Sequence, residues 1–428
     1  MAAVESIGDP ADALAAWLDD VQRAAAQKLE LTPAEGRTGG FWGGVLAWDD
    51  LTSVPGYRAL AAALAVDPAL HLAAGANVML AVGIGATAWS LDRLLAGMAE
   101  RARSLLATGE SSAACARTLL AEARAFLNEP HEATFVATLR GIAVTQPLDL
   151  GSGFVLRRFD DTLQRLTGMR GGALPGAFQG PPPSIALTAL RTVESRLGSP
   201  TDPGLFEVYP AALEQCRQQA EAIVRLLTLF TQNAVVMAGW TLQSGHWLAL
   251  AMGAGQYHAL ERGAHLSEHP IAPDGEIELR AAVSWALACE GRPGNVHVGL
   301  QRFADATRRF SPSESIIDLM IAGEALFLTD TGPTEDRGEL AFRLALRAAY
   351  YLSPDAGARR MVFNTLRRAY RARSRVVHGA AEAELRDGDL QETVRIMAVA
   401  LRKAVGDLAS GRVKGPGLAD WNAVVLGG

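Results

Sequence analysis

The hydrophobic positions fall into helical stripes along most of the chain. Between Asp12 and Leu31, the residues Leu14, Trp17, Leu18 and Val21 recur at the three- and four-residue spacing of a single helix face. Leu91–Leu106 and Ala113–Leu127 repeat the pattern, and Glu207–Leu229 carries it through Leu213, Ala220, Ile223 and Leu227. The pattern sharpens towards the end of the chain. Ser313–Leu328 opens on a capping sequence and holds Ile316, Ile317, Met320, Ile321 and Leu326, and Gly338–Leu352 aligns Leu340, Leu344 and Tyr351. Ala356–His378 is long and basic, and Asp389–Ala409 is amphipathic through Val394, Met397, Leu401 and Leu408. Short connections between these four segments predict an antiparallel helical bundle. Alternation of β-branched residues is scarce, so the expected fold class is all-α.

Proline and glycine punctuate the pattern. GMRGGALPGAFQGPPP (168–183) and the stretch near 198–204 predict a loop-rich break over 168–204. EGRPGN (290–295) precedes the change in character. The expected organisation is a larger, mostly helical N-terminal region, 1–295, followed by a helical-bundle domain, 296–428.

Two stretches lack formal charge, Pro68–Leu91 and Leu226–Leu260. Both hold His, Asn or Gln and several glycines, so buried core helices fit better than membrane spans. MAAVESIGDPADALAAWLDD has early acids and no basic leader, so no secretory signal is expected.

The chain has 428 residues, a net charge of −6, 49% hydrophobic and 20% charged residues, which suits a globular protein and excludes a disordered one. The cysteines (Cys115, Cys216 and Cys289) are few and far apart. That argues against a disulfide scaffold or a CxxC zinc site and fits a reducing cytoplasm. The acidic balance excludes a generally basic nucleic-acid coat protein but leaves room for a local basic site. Only three of the 40 Lys and Arg residues are lysines, so arginine abundance alone signals little.

One segment reverses the local charge. Between Ala356 and His378 there are seven arginines and no carboxylate, ending in AYRARSRVVHG with Arg373 and His378 five residues apart. Guanidinium groups bind phosphate oxygens bidentately at all relevant pH. An imidazole titrates near neutrality and can act as general base or acid. Together they suit attack of a ribose 2′-hydroxyl on its neighbouring phosphate without a metal, because the nucleophile lies within the substrate. On an ideal helix Arg373 and His378 lie about 140° apart, whereas Ser374 and His378 share a face. Convergence on one phosphate calls for a helix end at Gly379 or a second copy across a two-fold axis, and the second is preferred.

These residues resemble the Apea-like branch of the HEPN (higher eukaryote and prokaryote nucleotide-binding) superfamily. AYRARSRVVHG is similar to its signature, IDLMIAGEALFL (317–328) to its first helix around a glutamate, here Glu324, and GELAFRLALRAAYYL (338–352) to its second. The likeness covers roughly 299–411. It implies a helical-bundle domain acting as a metal-independent endoribonuclease, commonly dimeric, of bacterial antiviral, abortive-infection or toxin systems. It implies Arg373 and His378 as catalytic, Ser374 and Glu324 as supporting, and Arg343 or Arg347 as partners of Glu324. Arg367, Arg371 and Arg375 are the expected phosphate-binding residues. The expected partners are an RNA substrate, a second copy and a regulatory protein, with no cofactor, metal or membrane. Gly323 departs from the pattern, where a larger helix former is expected. The same residues also fit a non-catalytic RNA, nucleotide or protein-binding module.

Other motifs carry less. His265-Leu-Ser-Glu-His269 matches an inverted zinc-peptidase pattern, but that chemistry needs a helix, and Pro270, Gly263 and Pro273 point to a polar loop. GIGAT (83–87) and GGFWGG (39–44) lack the lysine and the strand-then-helix context of a phosphate loop. Trp42, Trp48, Trp240 and Trp247 are expected in the core.

Overall fold

His131–Arg140, HEATFVATLR, packs side chains on both of its faces. Ala133, Phe135, Ala137 and Leu139 join one apolar cluster, while Val136 joins another. That period of two is a strand's, not a helix's. The computed structural model describes residues 9–31, 46, 48–71, 78–81, 86–167, 184–198, 208–251, 258–259, 266–271, 275–288, 294–329, 337–378, 387–413 and 421–426.

The chain begins with α1 (Pro10–Leu31), α2 (Trp48–Ser53), α3 (Tyr57–Val66), β1 (Val78–Ala81), β2 (Ala86–Trp89), α4 (Leu91–Leu106) and α5 (Ser112–Asn128). A strand-rich part follows: β3 (His131–Arg140), β4 (Ile142–Ala143), β5 (Leu148–Gly151), β6 (Phe154–Arg158), α6 (Asp161–Thr167), β7 (Ile185–Val193) and β8 (Arg196–Gly198). Then come α7 (Val208–Thr231), β9 (Val236–Ser244), α8 (Trp247–Ala251), β10 (His258–Ala259), β11 (His269–Pro270) and α9 (Gly275–Ala288). The remainder is helical: α10 (Asn295–Arg308), α11 (Pro312–Phe327), α12 (Arg337–Leu352), α13 (Ala356–Val377), α14 (Asp387–Ala409) and α15 (Trp421–Leu426).

Six strands form one sheet in the order β10-β9-β3-β7-β6-β5, with antiparallel neighbours throughout. β1, β2 and β8 form a three-stranded sheet, and β11 pairs with β4 in parallel. The chain is therefore mixed α/β, which corrects the all-α expectation. The charge-free stretches read as buried helices contain β1, β2, β9 and β10, and the break expected over 168–204 contains β7 and β8. The physical reason lies in the composition of the strands. Ala133, Ala137, Ala186, Ala189 and Ala238 sit at their buried positions, so a helix-favouring residue fills positions where only small side chains are needed. Strands buried on both faces also lack the polar alternation that announces a half-exposed strand.

Two large apolar cores organise the molecule. The first joins α1–α5 and α8 around Trp17, Leu18, Leu95, Leu119 and Leu248, and the Trp17 indole donates to the Leu51 carbonyl at 3.1 Å. The second runs from one face of the large sheet through α7 and α9 into α10–α15 without interruption at position 295. Val136, Ala186 and Leu163 of α6 close the sheet's other face. Among the described residues no helix is long and apolar enough to cross a membrane.

Candidate nucleic-acid interface

The basic helix α13 is held by an ordinary amphipathic stripe. Val362, Thr365, Leu366, Ala369, Tyr370 and Ala372 are buried at helical spacing, and the Asp355 carboxylate caps the first turn by accepting from the Ala358 amide at 2.7 Å. The helix ends at His378, whose backbone amide donates to the Ser374 and Arg375 carbonyls at 3.2 Å each. His378 is exposed; Gly379 lies outside the described residues.

Burying that stripe leaves Arg360, Arg368, Arg371 and Arg375 exposed on α13, together with Met361, Asn364 and Val377. Arg368, Arg371, Ser374 and Arg375, with Ala369 and Ala372 at the base, line a groove of about 550 Å³ that Asp389 of α14 bounds on the other side. Arg368 Nη2 meets Asp389 Oδ1 at 3.1 Å. On an ideal helix Arg371, Ser374, Arg375 and His378 fall within a stripe about 100° wide, so the histidine continues the basic face.

Arg373 projects elsewhere. Its Nη2 lies 3.8 Å from Glu324 Oε1, and its guanidinium sits 5.5 Å from the centre of the Tyr370 ring. The Tyr370 hydroxyl donates to the same Glu324 oxygen at 2.9 Å. Glu324 thus gathers a phenol and a guanidinium from one turn of α13 and fixes α11 against it. The structure brings Arg373 together with Glu324 and brings Ser374 together with Arg371 and Arg375; it does not put Arg373 among the groove-lining residues. Arg367 stacks over the Phe363 ring at 5.5 Å and also lies outside the groove lining. Arg347 is buried, donating to the Phe327 carbonyl at 2.7 Å and lying over Trp421.

Gly323 has a packing explanation. A Cβ there would lie 3.3 Å from Leu344 Cδ1 of α12, closer than usual, and 3.7 Å from the Met397 sulfur of α14, an ordinary contact, so the missing side chain eases the approach of α12 beside Glu324.

Two features escaped sequence reasoning. One is Asp389 as the far wall of the groove, which depends on how α14 packs against α13. The other is the Tyr370–Glu324 bond, whose only sequence signal is a tyrosine three residues before Arg373.

The remaining motifs resolve differently. His265 lies outside the described residues; residues 266–268 are irregular, with Glu268 accepting from Ser184, and His269 begins β11, so the described part of the zinc-like motif is not helical. Among the described residues no group of three His, Cys, Asp or Glu is placed to hold a metal. Trp247 is packed against the first core and donates to Glu122 Oε2 at 2.7 Å, while Arg217 sits over Trp240. Residues 39–44 and 82–85 lie outside the described residues, as does Trp42. No protein-family model, no curated protein and no solved structure matches this chain.

Proposed function

We propose that this protein is a metal-independent endoribonuclease of a bacterial antiviral, abortive-infection or toxin-type system, acting in the cytoplasm on RNA as a dimer or higher oligomer. The observation that carries the reading is the exposed His378 at the end of a helix whose groove-lining stripe holds Arg368, Arg371 and Arg375. Arg371 and Arg375 hold phosphates of the strand beside the scissile linkage. The imidazole of His378 takes the proton from the ribose 2′-hydroxyl, whose oxygen forms a bond to the adjacent phosphorus. A guanidinium stabilises the charge that develops on the phosphoryl oxygens. The bond to the 5′-oxygen breaks, that oxygen is protonated, and the products are a 2′,3′-cyclic phosphate and a 5′-hydroxyl.

Because Arg373 turns towards Glu324, about 140° round the helix from His378, the guanidinium at the scissile phosphate is assigned to the Arg373 of a second copy facing His378 across a two-fold axis. Glu324 and Tyr370 then act as positioning residues that orient Arg373. The test is incubation of the full chain with RNA in EDTA, comparing wild type with Arg373→Ala and His378→Ala. Cleavage by wild type, lost in both variants and restored on mixing them, is the expected result; cleavage that survives in both removes the proposed site.

The Glu324–Arg373 pair also favours a second reading, a module that binds RNA or a partner without turnover and uses Arg373 only to lock two helices. It gives salt-sensitive binding with no cleavage.

A further inference from the structure

The groove between α13 and α14 contains its own carboxylate. Arg368, Arg371 and Arg375 stand on one face of α13 with rises of roughly 4.5 and 6 Å between them, a ladder of cations along the helix. Asp389, in the first turn of α14, faces that ladder and pairs with Arg368 at 3.1 Å. The pair is exposed to solvent, with 54% of the Arg368 side chain and 34% of the Asp389 side chain accessible. An ion pair of that kind contributes little to stability. Asp389 does not hold the groove shut, and an incoming anion can reach Arg368. Arg371 has no carboxylate partner among the described residues.

From this arrangement we infer that the groove is a subsite for consecutive phosphates of one RNA strand, and that Asp389 occupies the place of one phosphate until RNA displaces it from Arg368. The inference rests on the reading of α13 as the RNA-facing helix and extends it to Arg368 and Asp389. The occupant is a single strand because the groove lies between packed helices, whose axes are roughly 8–10 Å apart, too close to admit a duplex. The strand runs along α13 towards His378, so the subsite lies beside the scissile linkage and sets which stretch of RNA is presented to the imidazole. Asp389 also gives selectivity. A ligand with one weak negative charge does not outcompete a covalently tethered carboxylate, whereas a chain of phosphates contacting three guanidinium groups does.

The experiment measures binding of the full chain to a fluorescent single-stranded RNA that is 2′-O-methylated at every position. That substrate lacks the nucleophile, so binding is read without cleavage. Asp389→Asn removes the competing charge while keeping a side chain of the same shape. It should tighten binding about two- to fivefold and steepen the dependence of log Kd on log salt by about 0.7, because Arg368 then meets RNA carrying a counterion and not a carboxylate. Arg371→Ala and Arg375→Ala should each weaken binding and make that dependence shallower by about 0.7. Thermal melts run beside the titrations verify that all three variants are folded.

An Asp389→Asn protein with wild-type affinity and wild-type salt dependence overturns the inference, and so do arginine variants that bind like wild type. Cleavage of unmodified RNA, measured on the same preparations, separates this from the nuclease reading. Tightening by Asp389→Asn in a protein that never cuts RNA upholds the subsite and removes the nuclease. Cleavage dependent on His378 in a protein indifferent to the groove variants does the reverse.

Discussion

Replacing Tyr370 with phenylalanine removes the hydroxyl that donates to Glu324. The ring is buried and remains, so its packing and its contact with the Arg373 guanidinium at 5.5 Å are kept. What is lost is the hydroxyl that donates to Glu324 at 2.9 Å. A hydrogen bond to an ionised acceptor is worth about 1.5–3 kcal/mol. Glu324 retains 28% of its side-chain exposure, so water can replace the phenol in part and the lower end of that range applies. The expected cost is about 1–1.5 kcal/mol. The remaining partner, Arg373 at 3.8 Å, is beyond hydrogen-bond reach and compensates weakly. A double-mutant cycle with Glu324→Gln, read by urea unfolding followed by circular dichroism, measures the coupling. We expect a coupling near 1 kcal/mol, with a slope against urea shared by all four proteins. Additive effects of Tyr370→Phe and Glu324→Gln would refute the claim that this bond ties α11 to α13.

Other consequences follow from the fold. Gly141 has φ +85° and sits where a Cβ would lie 2.0 Å from the Ala234 carbonyl oxygen, so Gly141→Ala should cost about 3–4 kcal/mol by forcing β3 and β9 apart, visible as a lowered urea midpoint. Desolvation pushes the His246 imidazole down to about 4, against the opposing pull of Glu122, and burial lowers His131 beside it. A histidine with a depressed folded pKa stabilises the neutral form. Its contribution is complete above pH 6.5, where the unfolded imidazole is also neutral, and is lost as the pH falls from 6.5 to about 4. Partial solvent access limits the effect to about 1–2 kcal/mol, and His246→Phe should flatten unfolding stability over that window.

The helices were legible because their apolar stripes are long and uninterrupted: Leu91–Leu106 was expected and found with the same bounds, and Ala356–His378 differs from α13 by its last residue. The sheet was not. β3, β7 and β9 are buried on both faces and carry alanine at helix-compatible positions, so neither polar alternation nor composition distinguishes them from core helices. At the site, the run of seven arginines without a carboxylate was legible in the sequence as a charge reversal on α13, and Glu324 was singled out only through the family resemblance. Arg343 or Arg347 was expected beside Glu324, while Tyr370 and Arg373 reach it from α13, a pairing that depends on how α11 and α13 pack. Asp389 could not be read from sequence, since its role depends on the packing of two helices joined by residues 379–386.

The chemistry of the ends produced from unmodified RNA tests the central claim most directly. In EDTA, the wild-type chain should leave a 2′,3′-cyclic phosphate on one fragment and a 5′-hydroxyl on the other, and His378→Ala should leave the RNA intact. Fragments bearing a 5′-phosphate and a 3′-hydroxyl, or unchanged cutting by His378→Ala, would contradict internal attack by the ribose hydroxyl with this histidine as its base.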